Sequence, residues 1–151
     1  MDVQTLIDRA EITDLLTRYA RAVDRQDWDL FRSVFTPDAR IDYTRVGGIA
    51  GDLDEVVGFL SKVMPMFENM QHLVSNFDIV IDGDEAKVTA MVYNPLQMPD
   101  SPVWATGGWY HHELVRTSEG WRSRSLVEEA SWFHGVPAPD ESAGTDSADQ
   151  G

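Results

Sequence analysis

The chain has 151 residues, 42% of them hydrophobic and 10% aromatic, which suits one domain with a packed core. Its net charge of −14, from 12 basic and 26 acidic residues, repels phosphate backbones and anionic lipid, so neither nucleic acid nor a membrane is an expected partner. There is no cysteine for a disulfide or thiolate metal site, and no run of about 18 apolar residues for a membrane span. The start, "MDVQTLIDRAEITDLL", is charged and amphipathic rather than a signal sequence, so a cytoplasmic location is the expectation.

Residues 5–23 place Leu6, Ile12, Leu15, Leu16, Tyr19, Ala20 and Val23 at helical spacing. "DRQDWDLFRSVF" predicts a second short helix packed through Trp28, Phe31 and Phe35, and "TPDA" a break after it. A strand follows over 40–45, "RIDYTR", then a Gly-rich loop or hairpin. A third helix is predicted over 52–67 with Asp52 as its cap. "QHLVSNFDIVIDGDEAKVTAMVY" reads as two strands around Asp82-Gly83-Asp84. "NPLQMPDSP" (94–102) reads as a loop with three prolines, of the kind that often borders a site. Two further strands, "VWATGGWYHHELVRT" and "GWRSRSLVEEASWF", meet at Ser118-Glu119-Gly120. After Gly135 the apolar pattern stops, and the tail carries four acids and no Lys or Arg. Residues 1–135 are therefore expected to form one domain and 136–151 an acidic, disordered tail.

Helices first and an antiparallel meander after them is an α+β order, not an alternating βαβ one. Three helices against a strongly curved antiparallel sheet make a cone, and the order permits an internal cavity.

Few residues in this pattern could carry chemistry. His72 lies in "NMQHLVSN", where its neighbours read as strand, and the plain reading is a half-buried, hydrogen-bonded side chain. Asp24 ends the first helix, at the unfavourable end of the helix dipole for an acid. One reason for it would be to cap the second helix together with Asp27. Tyr19 lies a little over one turn earlier, and Tyr43 is the aromatic centre of the first strand. Asn76 and Asn94 are polar residues at strand ends. Trp132 and Phe133 stand near the end of the last strand, where they could close the mouth of a cone. His111 and His112 are adjacent, a poor spacing for a metal, and strand alternation points them to opposite faces. "GGIAGD" is not a dinucleotide fingerprint, and no G-x-S-x-G occurs.

"AEITDLLTRYARAVDRQDWDLFRSVFTPDARIDY", "MQHLVSN" and "ELVRTSEGWRSRS" together resemble the SnoaL-like branch of the NTF2-like superfamily, over about residues 5–134. Within that branch the motifs are most similar to scytalone dehydratase, bile-acid 7α-dehydratase and hexachlorocyclohexane dehydrochlorinase. The resemblance implies an NTF2-like cone and elimination of a small molecule from a cyclic substrate with no metal or organic cofactor. It matches Asp24 and His72 to the shared Asp and His of those enzymes. Tyr19 matches a helix tyrosine of the bile-acid enzyme, and Tyr43 a substrate-facing tyrosine of scytalone dehydratase. It also implies a homodimer or homotrimer through the outer sheet face. The chain departs from the pattern too: Thr106 to Gly108 stand where scytalone dehydratase has a second histidine, and Glu128 and Glu129 where the dehydrochlorinase has an arginine. A halide leaving group is therefore disfavoured.

The implied chemistry is removal of water from a hydroxylated ring compound of polyketide, steroid or terpenoid type. His72 would take a C–H proton while Asp24 fixes its tautomer. Either the resulting imidazolium or a tyrosine would protonate the departing oxygen. Asn76, Asn94, Trp132 and Phe133 are the expected substrate contacts. An isomerase or cyclase using the same pair, or a domain that only binds a small hydrophobic ring compound, remain the alternatives.

Overall fold

The computed structural model describes residues 1–136; the acidic tail lies almost wholly outside them. Helix α1 (Val3–Arg25) starts at Asp2, whose side chain accepts the Thr5 N–H, and ends where Gln26 turns left-handed. Its buried stripe of Ile12, Leu15, Leu16, Tyr19 and Val23 is the amphipathic face read in the sequence. Helix α2 is only Trp28–Arg32, capped by Asp27.

Strand β1 (Phe35–Asp42) begins earlier than expected and runs straight through "TPDA". It pairs with β7 (Gly120–His134), and the register jumps between Phe35 and Arg40. Pro37 sits in that irregular stretch, where no ladder N–H is required of it. Tyr43 therefore lies just beyond the strand, at the start of a 3-10 turn (Thr44–Val46). After β2 (Ala50–Asp52), helix α3 (Leu53–Val63) opens with a full capping box. Asp52 accepts the Glu55 N–H at 2.9 Å, and Glu55 returns the bond to the Asp52 N–H at 2.9 Å. The α-helix stops short of 67 because Pro65 takes the chain into a 3-10 turn, Met64–Met66.

The remaining strands are β3 (Asn69–Met70), β4 (Leu73–Asp82), β5 (Glu85–Gln97) and β6 (Trp104–Thr117). Strand β5 extends through Gln97, so Asn94 and Pro95 are strand rather than loop residues. All seven strands form one open sheet in the order β2-β1-β7-β6-β5-β3, with β4 also paired to β5. It is antiparallel apart from the β1–β7 pair, which is parallel. Strands β3 and β4 pair with the two ends of β5, and the chain breaks between them at Gln71 and His72.

The helices pack on the concave face of this sheet, an NTF2-like cone, around a core that includes Phe31, Val56, Tyr110, Leu114, Trp121 and Leu126. Near the start of α1, Asp8, almost fully buried, receives both Nη groups of Arg116 at 2.6 and 2.8 Å and Trp121 Nε1 at 3.2 Å. The Arg116 guanidinium holds the Asp8 carboxyl well below the usual carboxylate range. Among the described residues no helix is long and apolar enough to cross a membrane.

Candidate active site

Because Asp27 caps α2 by accepting the Leu30 N–H at 3.0 Å, Asp24 is free for another partner. Its carboxylate takes two bonds from one residue. Oδ1 lies 2.7 Å from His72 Nδ1, and Oδ2 accepts the His72 backbone N–H at 3.0 Å. The imidazole side chain is 9% exposed and the carboxylate 26%. His72 can meet the helix because it sits at the break between β3 and β4, outside the sheet ladder. Asn94 fixes that break: its Nδ2 donates to the Gln71 carbonyl at 2.7 Å.

His72 also lines a cavity of about 130 Å³ between the helices and the sheet. Phe59, Leu60 and Val63 of α3, Phe67, Leu96 and Trp104 make its walls largely apolar. With Nδ1 bonded to the carboxylate, Nε2 is the nitrogen left without a protein partner among the described residues. An ionised carboxylate only accepts, so this bond places a hydrogen on Nδ1 and leaves the neutral ring a lone pair on Nε2.

Tyr19, Tyr43 and Tyr110 form a cluster of phenols in the cavity wall. The Tyr19 and Tyr43 hydroxyls are 2.6 Å apart, and the Tyr19 and Tyr110 rings pack edge to face with centroids 5.3 Å apart. Burial raises the pKa of all three well above the ordinary phenol value, with the nearby Glu128 charge adding to it, so they are neutral donors.

The other expected contacts divide. Asn94 and Phe133 line the cavity, and Phe133, half exposed, stands at its edge. Asn76 and Trp132 do not reach it. Asn76 sits at a bulge in β4 with φ 54°, exposed to solvent. Trp132 turns outward, lies across Gly107 where a side chain would collide with its ring, and packs on Tyr93 at 5.9 Å between centroids. His112 points inward, 2% exposed, with Nδ1 2.9 Å from Ser123 Oγ and Nε2 without a partner among the described residues. His111 points outward to Glu129 at 2.7 Å.

Sequence reasoning did not single out Tyr110 or Thr106 as site residues, and it weighed Glu128 only as a change of sign. Glu128 is 6% exposed, lines the cavity and has no hydrogen-bonding protein partner among the described residues. Burial pushes its carboxyl up to about 7. The signal that was available is alternation: Leu126 and Glu128 are both inward positions of β7.

The open α+β cone is the fold of NTF2-like proteins, and the sequence narrows this further. The chain belongs to the SnoaL-like domain family, which it matches over residues 4–127. It is 38% identical over 130 residues to an uncharacterized protein of Mycobacterium tuberculosis, covering 85% of this chain and 88% of that one. It is similar in structure to a scytalone dehydratase-like protein of Novosphingobium aromaticivorans, with a TM-score of 0.82, 18% identity and coverage of 92% and 94% of the two chains. It is likewise similar to the type 3 hexachlorocyclohexane dehydrochlorinase LinA of Novosphingobium barchaimii, with a TM-score of 0.77, 20% identity and coverage of 91% and 100%. At these identities the two structures speak for the fold.

Proposed function

We propose that this chain is a cofactor-independent lyase that removes water from a hydroxylated cyclic small molecule. The observation that carries the reading is the doubly bonded Asp24–His72 pair at the wall of an apolar, tyrosine-studded cavity. A domain that only binds a ring compound has no need of a base held in one tautomer; an elimination does. The names of the dehydratase-like and dehydrochlorinase structures agree with the reaction class.

In the proposed reaction His72 Nε2 takes the C–H proton, and Asp24 stabilises the imidazolium that forms. An imidazole is a weak base for an unactivated C–H bond, so the carbon must stand next to a carbonyl. That makes the substrate class a cyclic β-hydroxy ketone or an equivalent. A neutral phenol of the Tyr19–Tyr43 pair donates to the carbonyl oxygen as charge gathers there. Asn94 and Phe133 complete the pocket. A homodimer or homotrimer would cover Leu73, Met91, Tyr93 and Trp132, which are exposed on the outer sheet face.

The test is a panel of cyclic β-hydroxy ketones, with and without polycyclic extensions, followed by mass spectrometry for loss of one water. The wild-type protein should dehydrate at least one compound, and His72→Ala should lower that rate by about 10²–10⁴-fold. Binding of the same compounds by both proteins with turnover by neither would overturn the lyase in favour of a binding domain. Rearrangement without water loss would point to an isomerase.

A further inference from the structure

We propose that Glu128 is a second catalytic group of this site, the acid that gives its proton to the oxygen leaving the substrate. The inference rests on the dehydratase reading and adds the group which that reading leaves unnamed. The geometry comes first. Glu128 is an inward position of β7, opposite Tyr110 in the β6–β7 ladder, and its side chain opens on the same cavity as His72. Strands β6 and β5 separate β7 from the His72 segment, so the curl of the sheet brings base and acid to one cavity from different walls.

A carboxylate buried without a partner destabilises a protein when charged, a cost that an apolar side chain would not carry. Other buried charge in this chain is paired, as Asp8 is with Arg116. Glu128 has no such partner among the described residues. The titratable groups facing it are Tyr19 of α1, Tyr43 beyond β1, Tyr110 of β6 and, across the cavity, His72 with Asp24. No lysine or arginine is among the residues lining the cavity. Burial, with no cation in the cavity wall, therefore favours the neutral form, with a hydroxyl hydrogen that no acceptor among the described residues claims. It stays protonated up to about pH 7, whereas the phenols beside it are weaker acids by more than three powers of ten. Of the groups in the wall, Glu128 is thus the better proton donor to a departing hydroxyl.

The step balances without a further reactant. His72 Nε2 forms a bond to the proton on the carbon next to the carbonyl. The C–H electron pair becomes the C=C bond, and the C–O bond breaks. The Glu128 O–H bond breaks as its proton joins the leaving oxygen, which departs as water. The protein is left with an imidazolium and a carboxylate, and a proton passing from one to the other through solvent resets it.

The experiment follows 3-hydroxycyclohexanone and 3-hydroxy-1-tetralone in D2O by NMR, measuring deuterium uptake next to the carbonyl separately from loss of water. Wild type, Glu128→Gln and His72→Ala are compared, with thermal unfolding to show that each variant folds. Glu128→Gln should raise the ratio of exchange to elimination about 100-fold. Wild-type elimination should fall as the pH rises through about 7, and Glu128→Gln should lack that fall. Elimination by folded Glu128→Gln at the wild-type rate and with the wild-type pH profile would overturn the role of Glu128 and leave the lyase standing. Wild-type protein that neither exchanges nor eliminates would overturn the lyase reading and this inference together.

Discussion

Asp24 spends both carboxylate oxygens on one histidine, and the consequence shows when one oxygen is replaced by an amide. In Asp24→Asn the amide oxygen must take one of the two N–H groups, and the NH₂ faces the other position. The backbone N–H of His72 cannot become an acceptor, so the oxygen turns to it and the NH₂ donates to Nδ1. The ring hydrogen then moves to Nε2, the nitrogen without a protein partner among the described residues. We therefore expect inversion of the His72 tautomer, visible in its side-chain ¹⁵N shifts without any substrate. Where turnover has been found, it should fall by about 10³-fold or more. Unchanged ¹⁵N shifts would show that the carboxylate does not set the tautomer.

The elements hold these residues through close approaches that leave little room. A Cβ on Gly108 would fall on the Glu129 carbonyl oxygen across the β6–β7 ladder, so this glycine is required where the two backbones nearly touch. Gly108→Ala should cost about 1–3 kcal/mol, read as a lower denaturant midpoint at unchanged m value. The same region explains what was legible in the sequence. Helix α1, its buried stripe and the β4–β5 hairpin follow from spacing and from Gly83, whose φ of 60° suits a two-residue turn. The pairing of Asp24 with His72 was legible only through family resemblance, because residues 48 apart meet across a strand break that no periodicity reveals. Bulges did the rest. In β7, Trp132 pairs with Gly107 and Ala130 with Gly108, which leaves Ser131 as an extra residue. That residue reverses the alternation, so Phe133 lines the cavity and Trp132 faces out. A similar bulge carries Asn76 away from the site.

For the whole molecule, two buried groups tilt stability with pH in opposite senses. Burial pushes His112 down to about 3 from 6.5, so the unfolded chain takes up a proton before the folded one does. Its contribution is intact above about pH 6.5 and is lost as the pH falls from there toward 3. Glu128 is raised to about 7 from 4.5, so its contribution is intact below about pH 4.5 and is lost as the pH rises through 7. Between about pH 4.5 and 6.5 the two slopes oppose and nearly cancel, so unfolding free energy should be almost flat there, falling by about 2 kcal/mol toward pH 3 and by less than about 1 kcal/mol above pH 6.5. Chemical denaturation between pH 3 and 8 checks this. His112→Gln should leave a steady decline from about pH 4.5 to 7, and Glu128→Gln a steady rise from about pH 3 to 6.5. Asp8, whose carboxyl is held low by Arg116, adds an acid loss only at lower pH.

The short distance between Asp24 and His72 joins a carboxylate placed by a helix to an imidazole placed by a sheet. A helix turns about 100° and advances about 1.5 Å per residue, so one residue added between Tyr19 and Asp24 would swing the carboxylate to another face. The length of that single turn is thus a ruler for the pair. Descendants of this gene can gain or lose residues freely between Met98 and Val103, in the connection outside the strands, while any change of length in the last turn of α1 separates the acid from its histidine.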